Sequence, residues 1–70
     1  MKRSASEPNL GDLAAHRAVV RLGRLFPQPW VISYRTMAGL TFFVARRPGL
    51  ELTEATARAL EDQLWRWETA

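Results

Sequence analysis

The chain has 70 residues, 47% of them hydrophobic and 24% charged, which is typical of one small globular domain and not of a disordered chain. It contains no cysteine, which excludes disulfide bonds and thiolate metal sites and fits a reducing cytoplasm. The net charge of +3 is unevenly distributed: residues 1–47 hold eight basic and two acidic side chains, and residues 48–70 hold two basic and five acidic ones. No apolar run approaches the roughly 18 residues of a membrane span, and none follows Lys2 and Arg3 as a secretory signal requires. We therefore expect a cytoplasmic protein without a membrane partner.

The first predicted element is a helix from Asn9 to about Leu25, after a flexible arm over residues 1–8. Asn9 is a favourable helix cap, and Pro27 cannot continue the helix. Six apolar residues recur at three- and four-residue spacing and predict a buried stripe: Ala15, Ala18, Val19, Leu22, Leu25 and Phe26. Three arginines form a second stripe about a third of the circumference away: Arg17, Arg21 and Arg24.

The segment from Pro27 to Gly49 predicts a β-hairpin. A three-residue loop, Met37 to Gly39, with glycine in the left-handed position, would pair Tyr34 with Phe42. This register is preferred because it gathers most large apolar side chains on one face: Trp30, Ile32, Tyr34, Leu40, Phe42 and Val44. The other face would then carry Phe43 between arginines, with Arg35 and Arg47 beside it.

A second helix is predicted from a Thr53 cap to about Thr69. Its buried side would hold Leu60, Leu64 and Trp67, whereas Trp65 falls among charged residues. The predicted fold class is α+β, in the order α-β-β-α, with a two-stranded antiparallel hairpin packed against two helices. Residues 9–70 would form this single domain.

Three short motifs of the hairpin carry a resemblance: the string Trp30-Val31-Ile32-Ser33, the pair Gly39-Leu40, and an aromatic strand that closes on Ala45-Arg46-Arg47. Together they resemble small uncharacterised proteins that are abundant in actinobacteria, over roughly residues 10–67. Those proteins have a W-x-I-x segment, a following G-L and an A-x-R ending before a C-terminal helix. The resemblance implies a bacterial, cytoplasmic accessory protein and supplies no catalytic residue.

The sequence does not predict an active site. Asp12 and His16 stand four residues apart, a spacing at which a carboxylate can orient an imidazole, but no nucleophile or second metal ligand accompanies them. We interpret them as a helix-surface pair. The prediction is a non-enzymatic protein with no catalytic residue, no metal, no cofactor and no small-molecule substrate.

The favoured function is a regulatory or accessory interaction module that binds a protein partner or a second copy of itself. Tryptophan and arginine are the usual anchors of protein interfaces, so the predicted interface residues are Trp65, Arg58, Arg66 and Phe43. In a second interpretation, Trp65 folds back against the hairpin edge or stacks beneath Arg58. A hairpin also leaves both strand edges open for pairing between chains.

The alternative function is nucleic-acid binding through an arginine-rich surface. Phosphate contacts favour arginine, and the candidate residues are Arg17, Arg21, Arg24, Arg35 and Arg47, with Phe43 as a stacking platform. A net charge of +3 is low for a nucleic-acid-binding domain. The arginines are therefore more simply interpreted as a solvated face, paired in part with the acidic second helix.

Overall fold

The computed structural model describes the backbone of residues 10–69 and the side-chain environments of residues 12–69. Its elements follow in the order α-β-β-β-α: α1 Leu10–Leu25, β1 Val31–Met37, β2 Leu40–Arg47, β3 Leu50–Glu54 and α2 Ala57–Thr69. The α+β class is confirmed, but the sheet has three strands where two were predicted. The predicted arm over residues 1–8 and the Asn9 cap lie outside the described residues.

Helix α1 ends where the sequence predicts it to end. Ala15, Leu22 and Phe26 are buried, and the Phe26 amide donates to the Leu22 carbonyl at 2.8 Å just beyond the helix. Pro27 follows and has no amide to continue this pattern. The three- and four-residue apolar spacing thus places one stripe of α1 in the core, with Ala18 and Val19 partly buried beside it. Leu25 was predicted in this stripe, but it is 44% exposed, because it lies at the edge of the stripe in the last turn of the helix.

The third strand, β3, covers residues 50–54, whereas the sequence analysis placed the cap of the second helix at Thr53. Leu50 and Leu52 alternate with Glu51 and Thr53, which is the period of a strand with one covered face. The turn Pro48-Gly49 reverses the chain, with Gly49 at φ 81°, and pairs Arg47 with Leu50. The sheet is therefore an antiparallel meander in the order β1-β2-β3.

The predicted register of the β1–β2 hairpin is wrong by one residue. The loop has two residues, Ala38 and Gly39, both with positive φ (52° and 78°), so Met37 pairs with Leu40 and Tyr34 pairs with Phe43. Two positive-φ residues form the primed turn whose twist matches that of the flanking strands. Because side chains alternate along a strand, this shift exchanges the two faces of β2.

The two faces of the sheet are named here by the helices. The inner face, against the helices, carries Trp30, Ile32, Tyr34, Phe43, Ala45 and Leu52. The outer face, on the opposite side, carries Val31, Ser33, Arg35, Met37, Leu40, Phe42, Val44, Arg46, Glu51 and Thr53. Phe43 is therefore a core residue at 8% exposure, and its predicted place on the outer face is wrong. Leu40, Phe42 and Val44, predicted inside, lie on the outer face.

The cap of helix α2 lies three residues later in the chain than predicted. The Thr56 hydroxyl, not that of Thr53, accepts a hydrogen bond from the Ala59 amide at 3.1 Å. Leu60 and Leu64 are fully buried, as predicted. Trp67 was predicted to be buried with them but is 47% exposed.

Both helices lie on the inner face, as predicted, and they run in the same direction. The direction follows from three contacts that keep nearly the same sequence separation: Arg21 with Glu61, Phe26 with Trp65, and Trp30 with Glu68. The core between helices and sheet combines Ala15 and Leu22 of α1 with Leu60 and Leu64 of α2 and the inner-face residues. The outer face has no layer of the described chain against it.

Candidate interaction surfaces

The outer face of the sheet combines a charged network with exposed apolar side chains. Glu51 of β3 accepts from Arg46 of β2 at 3.2 Å and from Arg35 of β1 at 3.4 Å. This network therefore crosses all three strands. Val44 lies on the same face and is only 4% exposed, and it lines a small depression of about 110 Å³ together with Ser33, Arg35, Arg46 and Glu51. The arginine stems and Glu51 thus cover Val44 in place of a second protein layer.

The outer face also carries apolar side chains that are exposed to water. Val31, Met37 and Leu40 are 61%, 58% and 60% exposed, and Phe42 is half-buried. Met37 pairs with Leu40 across the hairpin, and Phe42 is the next outer-face residue of β2. Met37, Leu40 and Phe42 therefore form a contiguous group at the hairpin tip, called here the tip cluster.

The two sides of the hairpin tip differ in polarity. The inner-face residues there are Thr36 and Thr41, which pair across the strands. Thr36 is exposed and Thr41 is half-buried, so water reaches the inner side of the tip. The apolar side chains of the tip cluster lie on the opposite side.

The second candidate surface is the exposed side of the helix layer. Arg17, Arg21 and Arg24 are exposed on α1, and Arg58 and Arg66 are exposed on α2. Arg21 crosses to α2 and donates to Glu61 at 3.0 Å. The two arginine groups that the sequence assigned to different functions thus lie on adjoining helices of one layer.

Trp65 lies at the seam between the two helices. Its ring meets Phe26 edge to face, with centroids 4.8 Å apart, and its Nε1 donates to Glu61 at 3.3 Å. The hydrogen bond from Arg21, followed by that from Trp65, lowers the pKa of the Glu61 carboxyl below its usual value. The ring remains 46% exposed. Trp65 therefore packs on the end of α1, neither on the hairpin edge nor beneath Arg58, and still presents a large apolar surface.

A cluster of Trp30, Arg47 and Glu68 joins the C-terminal end of α2 to the sheet. Trp30 is buried, and its Nε1 donates to Glu68 at 2.9 Å. The Arg47 guanidinium lies 5.3 Å from the centre of the Trp30 ring and 3.9 Å from Glu68. Arg47 is thus an inner-face residue engaged in this cluster, which corrects its predicted place on the outer face.

The five arginines predicted to bind nucleic acid do not converge on one surface. Arg17, Arg21 and Arg24 lie on α1, Arg35 lies on the outer face of the sheet, and Arg47 lies at the inner face. Arg21, Arg35 and Arg47 are each paired with a glutamate of the same chain. Only the α1 stripe is brought together as predicted, and Phe43 is too buried to offer a stacking face.

Sequence reasoning missed the apolar outer face, although the sequence contains a signal for it. Residues 40–45, Leu-Thr-Phe-Phe-Val-Ala, are almost continuously apolar, which is typical of a strand covered on both faces. The same signal is absent from β3, where apolar and polar residues alternate.

The described part of the chain holds neither a metal site nor a membrane span. Within it, no group of three or more histidine or acidic side chains could hold a metal ion, and neither helix is long and apolar enough to cross a membrane. His16 is exposed on α1, one turn after Asp12. In comparisons with known proteins, no family model, no curated protein and no solved structure matches the chain.

Proposed function

We propose that this protein is a small non-enzymatic interaction module that forms a homodimer through the outer face of its sheet. The observation that carries the proposal is the exposure of Val31, Met37 and Leu40, each close to 60%, on a face that no described element covers. Combined with the resemblance to small actinobacterial proteins, this suggests a bacterial, cytoplasmic accessory or regulatory protein.

The composition of β2 supports a covered outer face. Antiparallel sheets with one face in water usually alternate apolar and polar residues, whereas strands buried on both sides are apolar throughout. β2 places Phe43 and Ala45 in the core and Leu40, Phe42 and Val44 on the outer face. A 70-residue chain buries only about 60% of its unfolded surface, so covering a second face adds stability that its own core lacks.

A second copy fits this face because the tip cluster lies at one end of it. Arg35 is opposite Phe42 of the cluster, but its guanidinium pairs with Glu51, which lies beside Arg46 at the other end of the face. A twofold axis through the tip would place each tip cluster against its counterpart. The ion pairs of Glu51 would then lie away from the axis, toward solvent, which limits the cost of burying them.

The size of the face indicates a weak dimer. Strands about 4.8 Å apart with a rise of about 3.3 Å per residue give three strands of this length a footprint of roughly 300 to 400 Å². That is well below the roughly 800 Å² that each partner buries in a standard interface. We therefore expect a dimer that dissociates in the micromolar to millimolar range.

Sedimentation velocity across that concentration range tests the dimer. The wild-type chain should show a sedimentation coefficient that rises with concentration, whereas Leu40→Lys should remain monomeric because it places a charge within the tip cluster. Leu13→Lys is the matched control, because Leu13 is an exposed leucine on α1 (39%), on the other side of the molecule. A wild-type monomer at every concentration, or equal loss of association in the Leu13→Lys control, would refute the proposal.

The nucleic-acid alternative has weaker support. Three of its five arginines pair with glutamates of the same chain, and the set is divided among three parts of the fold. Only the α1 arginines remain together on one exposed surface.

A further inference from the structure

The outward side of α1 carries two short stripes with the same seven-residue repeat. Leu13 and Val20 form an apolar stripe, and Arg17 and Arg24 form a basic stripe beside it. All four are on the side of the helix opposite the buried residues Ala15 and Leu22. Leu13 and Val20 are one heptad apart, which is the spacing at which apolar side chains of one helix meet a second helix lying along it.

An open depression runs along the same side of α1. It has a volume of about 530 Å³ and is lined by His16, Arg17, Val20, Arg21, Arg24 and Leu25. Leu13 and Val20 are each 39% exposed and Leu25 is 44% exposed, although the apolar stripe that α1 turns to the core is well covered. These three apolar side chains therefore keep a substantial part of their surface in water.

The arginines of α1 differ in what they pair with. Arg21 already holds an acidic helix beside α1, through its 3.0 Å ion pair with Glu61 of α2. Neither Arg17 nor Arg24 forms an ion pair with an acidic residue within residues 12–69. Arg17 and Arg24 would make the same kind of ion pair with acidic residues of a helix bound beside them.

We propose that the outward side of α1 binds an acidic amphipathic helix of a partner protein. The partner would place apolar side chains against Leu13 and Val20, and glutamates or aspartates beside Arg17 and Arg24. Charge complementarity with Arg17 and Arg24, together with the heptad spacing of Leu13 and Val20, selects this occupant. The site is separate from the outer face of the sheet and does not depend on the proposed dimer.

Two other occupants fit the surface less well. A second copy offers α2 as its acidic helix, but Glu61 and Glu68 of that helix are engaged with Arg21 and Trp30 of their own chain. Nucleic acid would meet Glu61 and Asp62 in the same helix layer, together with three exposed aliphatic side chains and a net charge of only +3.

A synthetic peptide tests the site. The probe is a labelled three-heptad peptide with leucine at the two core positions of each heptad, glutamate at the flanking positions and glutamine elsewhere. Fluorescence anisotropy measures its binding in physiological salt, beside a scrambled peptide of the same composition. The patterned peptide should bind and the scrambled one should bind at least about tenfold more weakly, because only the first aligns apolar and acidic side chains with α1.

Paired charge reversals locate the site. Arg17→Glu with Arg24→Glu should weaken peptide binding by about tenfold or more, and Val20→Ser should weaken it without changing the charge. Arg58→Glu with Arg66→Glu is the matched control on α2, with the same change in net charge, and should alter binding by less than about twofold because a Debye length of about 8 Å limits long-range effects. Circular dichroism confirms that each variant is folded.

Three results would overturn the proposal. The first is equal binding, or no binding, of the patterned and scrambled peptides. The second is an equal loss for the α1 and α2 reversals, which would indicate net charge alone. The third is tighter binding of a DNA duplex, a single strand or vesicles of anionic lipid than of the peptide in the same salt, which would assign the surface to another class of partner.

Discussion

Ala38 holds a backbone conformation that alanine rarely adopts. Its φ is 52°, next to Gly39 at 78°, because the two-residue turn between β1 and β2 needs positive φ at both positions. A Cβ in this region costs about 1 to 2 kcal/mol, and asparagine tolerates the region better than alanine does. The turn thus fixes the register of the hairpin at the expense of local strain in one residue.

Ala38→Asn should therefore stabilise the fold. We expect the free energy of unfolding to rise by about 0.5 to 1 kcal/mol, because Asn-Gly is the preferred pair for this turn. Urea denaturation followed by circular dichroism measures the change. Ala38→Val is the opposing control and should destabilise, since a branched side chain is unfavourable at positive φ. Equal effects of asparagine and valine would contradict this account of the turn.

Glu61 makes stability depend on pH in a defined direction. The hydrogen bond from Arg21, then that from Trp65, holds the pKa of the folded-state carboxyl below its unfolded value. Glu61 therefore contributes stability above the unfolded pKa, and this contribution disappears as the pH falls through the folded pKa. Because the pair is on the surface, the contribution is small.

We expect Glu61→Gln to lose less stability between neutral and acidic pH than the wild-type chain does. Urea unfolding at a series of pH values measures the slope. Asp62→Asn is the neighbouring control, because Asp62 makes no ion pair within residues 12–69. An acid-dependent loss in Glu61→Gln as large as in the wild type would show that the pair does not affect folding.

Among the secondary-structure elements, α1 was predictable and β3 was not. The apolar repeat of α1 and the stop at Pro27 determine where its core stripe lies and where it ends. Thr53 and Thr56 are both possible caps for the second helix. A cap at Thr53 leaves too few residues before the helix for the alternating Leu50 and Leu52 to be interpreted as a strand. Local capping preferences do not distinguish the two threonines. The pairing of Leu52 with Ala45 does, because it places Thr53 within a strand and leaves Thr56 as the cap.

The correct cap can be tested directly. Thr56→Ala should lower the free energy of unfolding by about 1 kcal/mol, because it removes the oxygen that accepts from the Ala59 amide. Thr53→Ala is the matched control, since Thr53 is exposed on the outer face of β3 and caps nothing. Chemical denaturation of both variants gives the comparison. A larger loss for Thr53→Ala would favour the cap that the sequence first suggested.

The hairpin register decides which surface is free for binding, and the sequence alone does not determine it. A three-residue loop with one glycine in the left-handed position suits Met37 to Gly39 and gathers the apolar residues on one face. The observed turn instead accepts a strained alanine and divides them between both faces. Prediction from sequence therefore identified the hairpin and the α1 arginines but not the apolar outer face.

At the scale of the whole molecule, the basic part of the sequence forms ion pairs with the acidic part. All four ion pairs within residues 12–69 join an arginine of the first 47 residues to a glutamate of the last 23: Arg21–Glu61, Arg35–Glu51, Arg46–Glu51 and Arg47–Glu68. The acidic part thus neutralises the basic part along both sides of the sheet. Arg17 and Arg24 form no ion pair with the described residues, and the acidic helix is expected beside them.

The two proposed surfaces lie on opposite sides of the sheet, so one molecule should use both at once. The tip cluster is on the outer face, and the outward side of α1 is beyond the helix layer, with the core between them. Sites on opposite sides of a core that share no residue have nearly additive effects. The dimer dissociation constant should therefore change by less than about twofold when the acidic peptide saturates α1.

Sedimentation of the wild-type chain with and without saturating peptide measures this coupling. Leu40→Lys is the matched control and should bind the peptide as a monomer with wild-type affinity. A shift in the dimer constant beyond about twofold would mean that binding on one side of the sheet alters the other, because linkage requires each ligand to affect the other equally. The core residues Phe43 and Ala45 of β2, whose strand carries Phe42 and Val44 on its other face, would then be the place to look for that coupling.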